Sequence, residues 1–331
     1  MKICIYGAGS IGGYLAMGLA GVDRVELSLI ARGAHLKAMQ QNGLKLIKDG
    51  EEHVAQVRAS SDPAELGEQD AVFNCLKAHQ AWASVEHMAP LLGPETAVVT
   101  CQNGVPWWYF HGIGGVYEGR RLDAVDRGDR QWNTIGPERA IGCSVYPAAE
   151  IAEPGVIRHI YGDKFALGEP DGEKSERIQR ISASLEAGDF KAPILNDIRS
   201  ELWLKLWGNL CFNPISALTR ATLDVVATDP GSRAVAKAMM LEAQVIAEAL
   251  GAGFRVDVER RINGAAKVGR HRTSMLQDLE AGKAMEIDAL VTAVQEMGQI
   301  VGIESPTIDA VLALVRQLGR TQGLYPTYPE C

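Results

Sequence analysis

Through roughly the first 195 residues, short apolar runs rich in β-branched side chains alternate with longer amphipathic stretches. The apolar runs at 2–6, 71–76, 97–101, 141–145, 155–160 and 165–169 read as buried strands, and the alternating segment 25–30 reads as a half-buried one. Segments 44–47 and 53–57 flank Lys48-Asp49-Gly50 and predict a hairpin. Helical periodicity marks 10–20, 80–91 and 174–187. Beyond Asp197 the strand pattern stops. Long amphipathic stretches follow at 199–219, 230–251, 256–267, 280–301 and 306–318, punctuated by Gly and Pro. Strands alternating with helices imply a parallel sheet wrapped by helices, and the later half implies a purely helical domain.

The first strand runs straight into Gly7-Ala8-Gly9-Ser10-Ile11-Gly12, a G-x-G-x-x-G spacing that opens a helix. Gly7 permits the tight turn, Gly9 keeps side chain away from a pyrophosphate, and Gly12 lets helix and strand approach closely. The free N–H groups and positive dipole end of the helix would hold the anion. The expected fold is therefore α/β: a Rossmann-type dinucleotide-binding domain over 1–195, then an all-α domain over 196–331.

After the second strand the first charged residue is Arg32, with no acidic residue nearby. A ribose-binding carboxylate would mark NAD at this point, whereas a planar guanidinium suits a 2′-phosphate, so the expected cofactor is NADP. Lys77 and Asn103 follow the ends of two further strands, the edge where open α/β sheets bind ligands. Both are candidate cofactor contacts.

Composition narrows the class. The 331 residues carry a formal net charge of −8, with 47% hydrophobic and 22% charged residues, as in ordinary soluble proteins. The arginines at 120, 121, 127 and 130 are interleaved with Asp123, Asp126 and Asp129, which predicts a solvated loop and no nucleic-acid site. Cys4, Cys75, Cys101, Cys143, Cys211 and Cys331 are scattered. They suit reduced thiols of a cytoplasmic protein better than disulfides or a metal site. No apolar run has membrane-spanning length, and the N-terminus is a strand, not a signal peptide. Between 105 and 139 the pattern loosens around Trp107-Trp108-Tyr109-Phe110, which could be a lid over the site, a loop anchor or an oligomer contact.

The helical half holds a second constellation. Lys205, Asn209 and Asn213 recur at i, i+4 and i+8, forming one polar stripe in an otherwise apolar helix, with Pro214 predicting a kink beside it. A lysine there is either a proton donor or a side chain reaching the surface past two structural amides. Ser274 reads as a helix N-cap and Glu286 as a surface carboxylate.

Taken in order, the glycine motif, strand–Lys77, Gln102-Asn103-Gly104, Lys205…Asn209…Asn213-Pro214, Ser274-Met275-Leu276-Gln277-Asp278 and Glu286-Ile287-Asp288 resemble the 2-dehydropantoate 2-reductase (ketopantoate reductase) family over nearly the whole chain. The resemblance implies a helical domain like that of 6-phosphogluconate dehydrogenase, with the site in the cleft between the domains. It also implies NADPH-dependent reduction of an α-keto acid to an α-hydroxy acid in pantothenate biosynthesis. It makes Lys205 the general acid. Asn103 would touch cofactor and substrate, Asn209, Asn213 and Ser274 would bind substrate, and Glu286 would contact cofactor or substrate. The expected partners are the small-molecule substrate and a second copy of the chain, with neither nucleic acid nor membrane. Two departures fall where substrate is read: Ala221-Thr222-Leu223-Asp224 stands where many members carry an Asn-Gly pair, and the segment after Asn103-Gly104 is long. A paralogue acting on another branched or aromatic α-keto acid, an opine- or glycerol-phosphate-type dehydrogenase and a non-catalytic NADPH-sensing protein are the alternatives.

Overall fold

The computed structural model describes residues 1–325 and divides into two compact units. The first comprises Met1–Gln102, Pro106–Arg121 and Gly128–Ile198. The second comprises Asn103–Val105, Leu122–Arg127 and the chain from Arg199 onward.

In the first unit the chain runs β1 (Lys2–Tyr6), α1 (Ser10–Leu19), β2 (Glu26–Ile30), α2 (Gly33–Asn42), β3 (Leu44–Lys48), β4 (Glu51–Ala55), β5 (Arg58–Ser60), β6 (Gln69–Asn74), α3 (Ala78–Ala83) and β7 (Leu92–Thr100). It continues through α4 (Arg130–Ile135), β8 (Ala140–Val145), β9 (Ala148–Glu153), β10 (Val156–Tyr161), β11 (Phe165–Gly168) and α5 (Glu176–Ala187). Seven strands form one sheet in the order β11-β8-β7-β6-β1-β2-β5. All its pairings are parallel except that of the edge strand β11. Ile3, Cys4, Ile5 and Tyr6 of β1 are all buried, as expected for a strand covered on both faces. One core cluster gathers Ile3, Ile5, Phe73, Val99 and Ile141 from the sheet with Leu15 and Leu19 of α1 and Ile178, Ile181 and Leu185 of α5.

The expected hairpin forms, as antiparallel β3 and β4. The segment near 155–160, expected to close the main sheet, instead joins β3 in parallel as β10 and builds a second sheet, β4-β3-β10-β9. This sheet sits on α1, where a Cβ on Gly13 would come within 2.6 Å of Ile157. Strands β5 and β9 were not legible: β5 has three residues, and Ala-Ala-Glu-Ile-Ala-Glu of β9 is poor in strand formers.

The single helix expected over 80–91 is two pieces, α3 and a 3₁₀ segment Val85–Leu91. Ser84 breaks it, its hydroxyl donating back to the Gln80 carbonyl (2.8 Å), and Pro90 has no N–H to continue an α-helix. Trp107, Trp108, Tyr109 and Phe110 are all buried, which corrects the lid reading: a lid presents a face to the site, whereas these rings are core. Trp108 Nε1 donates to Thr100 Oγ1 (3.1 Å), and its six-membered ring lies over Gly142. The arginine-rich stretch is not a solvated loop either. The Arg121 guanidinium stacks 3.4 Å above the Trp132 ring, and Arg130 binds both carboxylate oxygens of Glu86 (2.7 and 2.5 Å).

In the second unit the helices are α6 (Ile198–Thr219), α7 (Leu223–Thr228), α8 (Pro230–Ala249), α9 (Val258–Ala266), α10 (Ser274–Glu280), α11 (Ala293–Val301) and α12 (Pro306–Thr321), α6 beginning on the last residue of the first unit. The helix expected over 280–301 does not start at 280. Gly282, at φ +63°, turns the chain out of α10, and helical structure resumes as one π-helical turn, Asp288–Thr292, that runs into α11. Helix α6 passes through Pro214 without ending. No helix among the described residues is long and apolar enough to cross a membrane. Cys4, Cys101, Cys143 and Cys211 are buried free thiols and Cys75 is a half-buried one. Cys331 lies outside the described residues. Burial pushes the Cys4 and Cys211 thiols up to about 12, as suits inert core cysteines.

Candidate functional site

Each glycine of the G-x-G-x-x-G turn has a distinct physical reason. Gly7 sits at φ +98°, and a Cβ there would also strike the Leu76 side chain at 2.6 Å. At Gly12 a Cβ would lie 2.2 Å from the Gly7 carbonyl oxygen, so α1 could not begin this close to β1 with any other residue. Gly9 faces open space: nothing of the protein lies within 4 Å of where its Cβ would be. The chain's own packing does not require a glycine at this position, and a ligand lying against the backbone would. Gly9 is also the N-cap of α1 and offers no side-chain acceptor, which leaves the first-turn N–H groups of Ser10 and Ile11 for an anion. The N–H groups of Gly7 and Ala8 both donate to the Ile30 carbonyl (3.1 and 3.0 Å), tying the turn to the end of β2.

Beside this turn lies a cavity of about 260 Å³ lined by Gly7, Ala8 and Gly9 together with Arg32, His35, Ser61, Ser84 and His87. Arg32 is the N-cap of α2 and is exposed. Among the described residues no carboxylate lines the cavity. Its wall thus offers the Arg32 guanidinium, the His87 imidazole and the Ser61 hydroxyl to a phosphate, while His35 and the Ser84 hydroxyl are already bonded to backbone. Lys77 stands at the N-cap of α3, half-buried, three residues past the end of β6. His35, Ser61, Ser84 and His87 were not singled out from sequence, because lone His and Ser residues in polar loops carry no periodic signal.

The second unit assembles the other candidates. Lys205, Asn209 and Asn213 all lie on α6. Lys205 Nζ donates to Asn103 Oδ1 at 2.8 Å, joining residues 102 apart in the chain. Both are half-buried, and Leu202, Trp203, Leu206 and Trp207 on the same helix as Lys205 are buried. Asn213, 4% exposed, donates from Nδ2 to Ser274 Oγ at 3.2 Å. Ser274 is not the N-cap expected. Thr273 takes that place, its hydroxyl accepting from the Leu276 N–H, which leaves the exposed Ser274 hydroxyl to Asn213. Asn209 is half-buried, and so is Glu286, in the non-helical stretch before the π turn rather than fully on the surface. The departing segment 221–224 forms the start of α7, where Thr222 is the N-cap and the Leu223 N–H donates to the His271 carbonyl (2.8 Å).

What sets the position of Asn103 was invisible in sequence. The Ala289 carbonyl, inside the π turn, accepts from the Val105 N–H at 2.9 Å. Gly104, at φ +94°, brings its Cα so close that a Cβ would lie 2.3 Å from the same oxygen. The turn is itself braced: the Asp288 carboxylate accepts from Thr292 Oγ1 (2.7 Å), Arg316 (3.3 Å) and the Tyr325 hydroxyl (2.7 Å). Gly104→Ala is therefore expected to destabilise the protein by about 2–4 kcal/mol, from left-handed strain plus overpacking. Urea unfolding checks this, and an unchanged midpoint would show that the segment shifts freely.

Residues 3–108 match the family model "Ketopantoate reductase PanE/ApbA", and residues 197–319 match "Ketopantoate reductase PanE/ApbA C terminal". The chain is 59% identical over 325 residues to a 2-dehydropantoate 2-reductase of Mesorhizobium japonicum, covering 98% of this chain and all of that one. A crystal structure from Ralstonia solanacearum MolK2, provisionally named a ketopantoate reductase, shares 42% identity with a TM-score of 0.93, covering 98% of this chain and 99% of that one. D-mandelate dehydrogenase bound to NADH and anilino(oxo)acetate shares the fold (TM-score 0.82, 98% and 100% covered) at 19% identity.

Proposed function

Because the chain belongs to the ketopantoate reductase family, we propose that it reduces 2-dehydropantoate to pantoate with NADPH, as a cytoplasmic step of pantothenate biosynthesis. The observation that carries this reading is the pairing of an ammonium with an amide in an apolar setting, Lys205 with Asn103, in a chain that also carries the glycine turn and Arg32. The cofactor supplies a hydride to the keto carbon. The residues present fit it: Gly9 leaves the space a pyrophosphate would take, and the wall around Arg32 has donors and no carboxylate.

In this reading Gly7, Ala8, Gly9, Ser10, Ile11 and Gly12 hold the pyrophosphate, Arg32 holds the 2′-phosphate, and Lys77 and Glu286 make further cofactor contacts. Asn103 orients the Lys205 ammonium and touches both cofactor and substrate. Lys205 hydrogen-bonds the keto oxygen, stabilises the negative charge that grows there and passes its proton to that oxygen. Asn209, Asn213 and Ser274 hold the substrate's polar groups, Asn213 and Ser274 acting as one hydrogen-bonded pair. The partners proposed are the keto acid and a second copy of the chain, and not nucleic acid.

NADPH oxidation measured over a panel of α-keto acids that includes 2-dehydropantoate and an aromatic keto acid tests the substrate. Turnover of the aromatic acid alone would replace this reading with that of a paralogue. Cofactor choice is expected to rest on Arg32. Arg32→Ala should weaken NADPH binding roughly 10- to 100-fold, the range for one charge-assisted contact, and leave NADH nearly unaffected. Fluorescence titration of both cofactors measures this, and equal affinities in the unmodified protein would reject the assignment.

A further inference from the structure

The first unit contains an imidazole whose two nitrogens are both engaged by backbone, one by the glycine turn and one by the second sheet. The Gly155 N–H, in the turn between β9 and β10, donates to His35 Nδ1 at 2.8 Å. Because Nδ1 accepts, the ring proton sits on Nε2, and Nε2 lies 2.7 Å from the Ala8 carbonyl oxygen, to which it donates. The ring is thereby held in one orientation between two backbone groups, on the first turn of α2 just after Arg32. It also lines the same cavity as Arg32 and the glycine turn.

We propose that His35 is a positioning residue for the cofactor, setting the orientation of the Ala8–Gly9 peptide on which the pyrophosphate is to lie; this rests on the dinucleotide reading given above. The argument is geometric. A trans peptide is planar, with its carbonyl and its N–H pointing to opposite sides. Fixing the Ala8 carbonyl on His35 therefore fixes the direction of the Gly9 N–H at the other edge of the same plane. Glycine supplies no side-chain restraint at position 9, and while the Ala8 N–H is bonded to Ile30 and the Gly9 carbonyl to the Gly13 N–H, the His35 bond holds the intervening peptide itself. The ring's other anchor is firm. A Cβ on Gly155, at φ +79°, would lie 2.9 Å from the Ala38 Cβ of α2, so the β9–β10 turn is packed tightly against the helix that carries His35. Ile157 of β10 meets α1 at Gly13, which seats the same sheet on the helix that the glycine turn begins. The second sheet thus braces the cofactor loop through one imidazole.

The test separates the two ring nitrogens. Asn places an acceptor near Nδ1 but is too short to reach Ala8, whereas Gln places an amide N–H near Nε2. Binding of NADPH and of adenosine 2′-monophosphate, which carries the 2′-phosphate but no pyrophosphate, is measured by calorimetry for the full-length protein, for His35→Asn and for His35→Gln. His35→Asn is expected to weaken NADPH by roughly 5- to 10-fold, the loss of one neutral hydrogen bond, with adenosine 2′-monophosphate altered less than twofold. His35→Gln should recover most of the NADPH affinity. Wild-type NADPH affinity in His35→Asn would overturn the proposal, as would a parallel loss of both ligands, which would mean that the imidazole only supports the cavity as a whole. Should His35→Asn fail to fold, His35→Ala takes its place: a selective NADPH loss that His35→Gln recovers is the expected result, and an unchanged ratio of the two affinities overturns the proposal. Failure of the unmodified protein to bind NADPH would reject the cofactor reading itself, a separate outcome.

Discussion

Lys205→Ala is expected to lower kcat by roughly 10²–10⁴-fold, the range for removal of a positioned general acid. Hydride addition to the keto carbon moves the C=O π pair onto the oxygen as an alkoxide, so the barrier depends on how well charge on that oxygen is stabilised and how readily it is protonated. In the proposed mechanism Lys205 does both, and its ammonium donates to the Asn103 amide oxygen at 2.8 Å, which orients it. The glycine turn and Arg32 belong to the other compact unit, so NADPH affinity should change little in this variant. Lys205→Arg should not restore the rate, because a guanidinium stays protonated near neutral pH and donates its proton poorly. Steady-state kinetics with a saturating keto acid settles the matter: turnover by Lys205→Ala close to the wild-type rate would remove the lysine from the mechanism.

Trp108→Ala should cost about 3–5 kcal/mol of stability, as for large buried aromatic residues generally. The side chain is fully buried, its indole N–H is bonded to Thr100, and its ring fills the space above Gly142. Against a typical total of about 5–15 kcal/mol, that loss would leave the fold marginal at physiological temperature. Trp107 offers an internal control. Its indole N–H is buried with no partner among the described residues. Trp107→Phe should therefore cost less than Trp108→Phe, because only the second change strands a hydroxyl that had a donor. Urea midpoints for the two phenylalanine variants measure the difference. Equal midpoints would mean that the Trp108–Thr100 bond contributes nothing net.

The aromatic segment also shows where sequence reasoning stops. Four consecutive aromatics in a Gly- and charge-rich stretch are compatible with a lid, an anchor or an interface, because local pattern reports hydrophobicity and not the identity of what covers it. Burial decided for the core. The same limit applies to the arginines that follow. Their interleaved acids suggested solvation, yet Arg130 found Glu86 and Arg121 found the Trp132 ring, partners that lie elsewhere in the fold or present an aromatic face to the charge.

Other features were legible because their cause is local. The turn at Gly7, Gly9 and Gly12, the start of α1 and the length of α6 depend on backbone conformation and on a period of three to four residues, which are written along the chain. The placement of Lys205, Asn209 and Asn213 on one helix follows from the same period. The sequence by itself thus determined the alternating strands and helices of the first unit, the helical second half, the glycine turn and the polar stripe of α6. Only the tertiary structure decided that β10 leaves the main sheet to brace α1 and that Asn103 meets Lys205. The same holds for the Ala289 carbonyl that fixes Gly104 and for His35 bridging Ala8 and Gly155. Each of these joins groups far apart in the chain, and a hydrogen bond or close contact between them is specified by the packing of whole elements, which no local periodicity encodes.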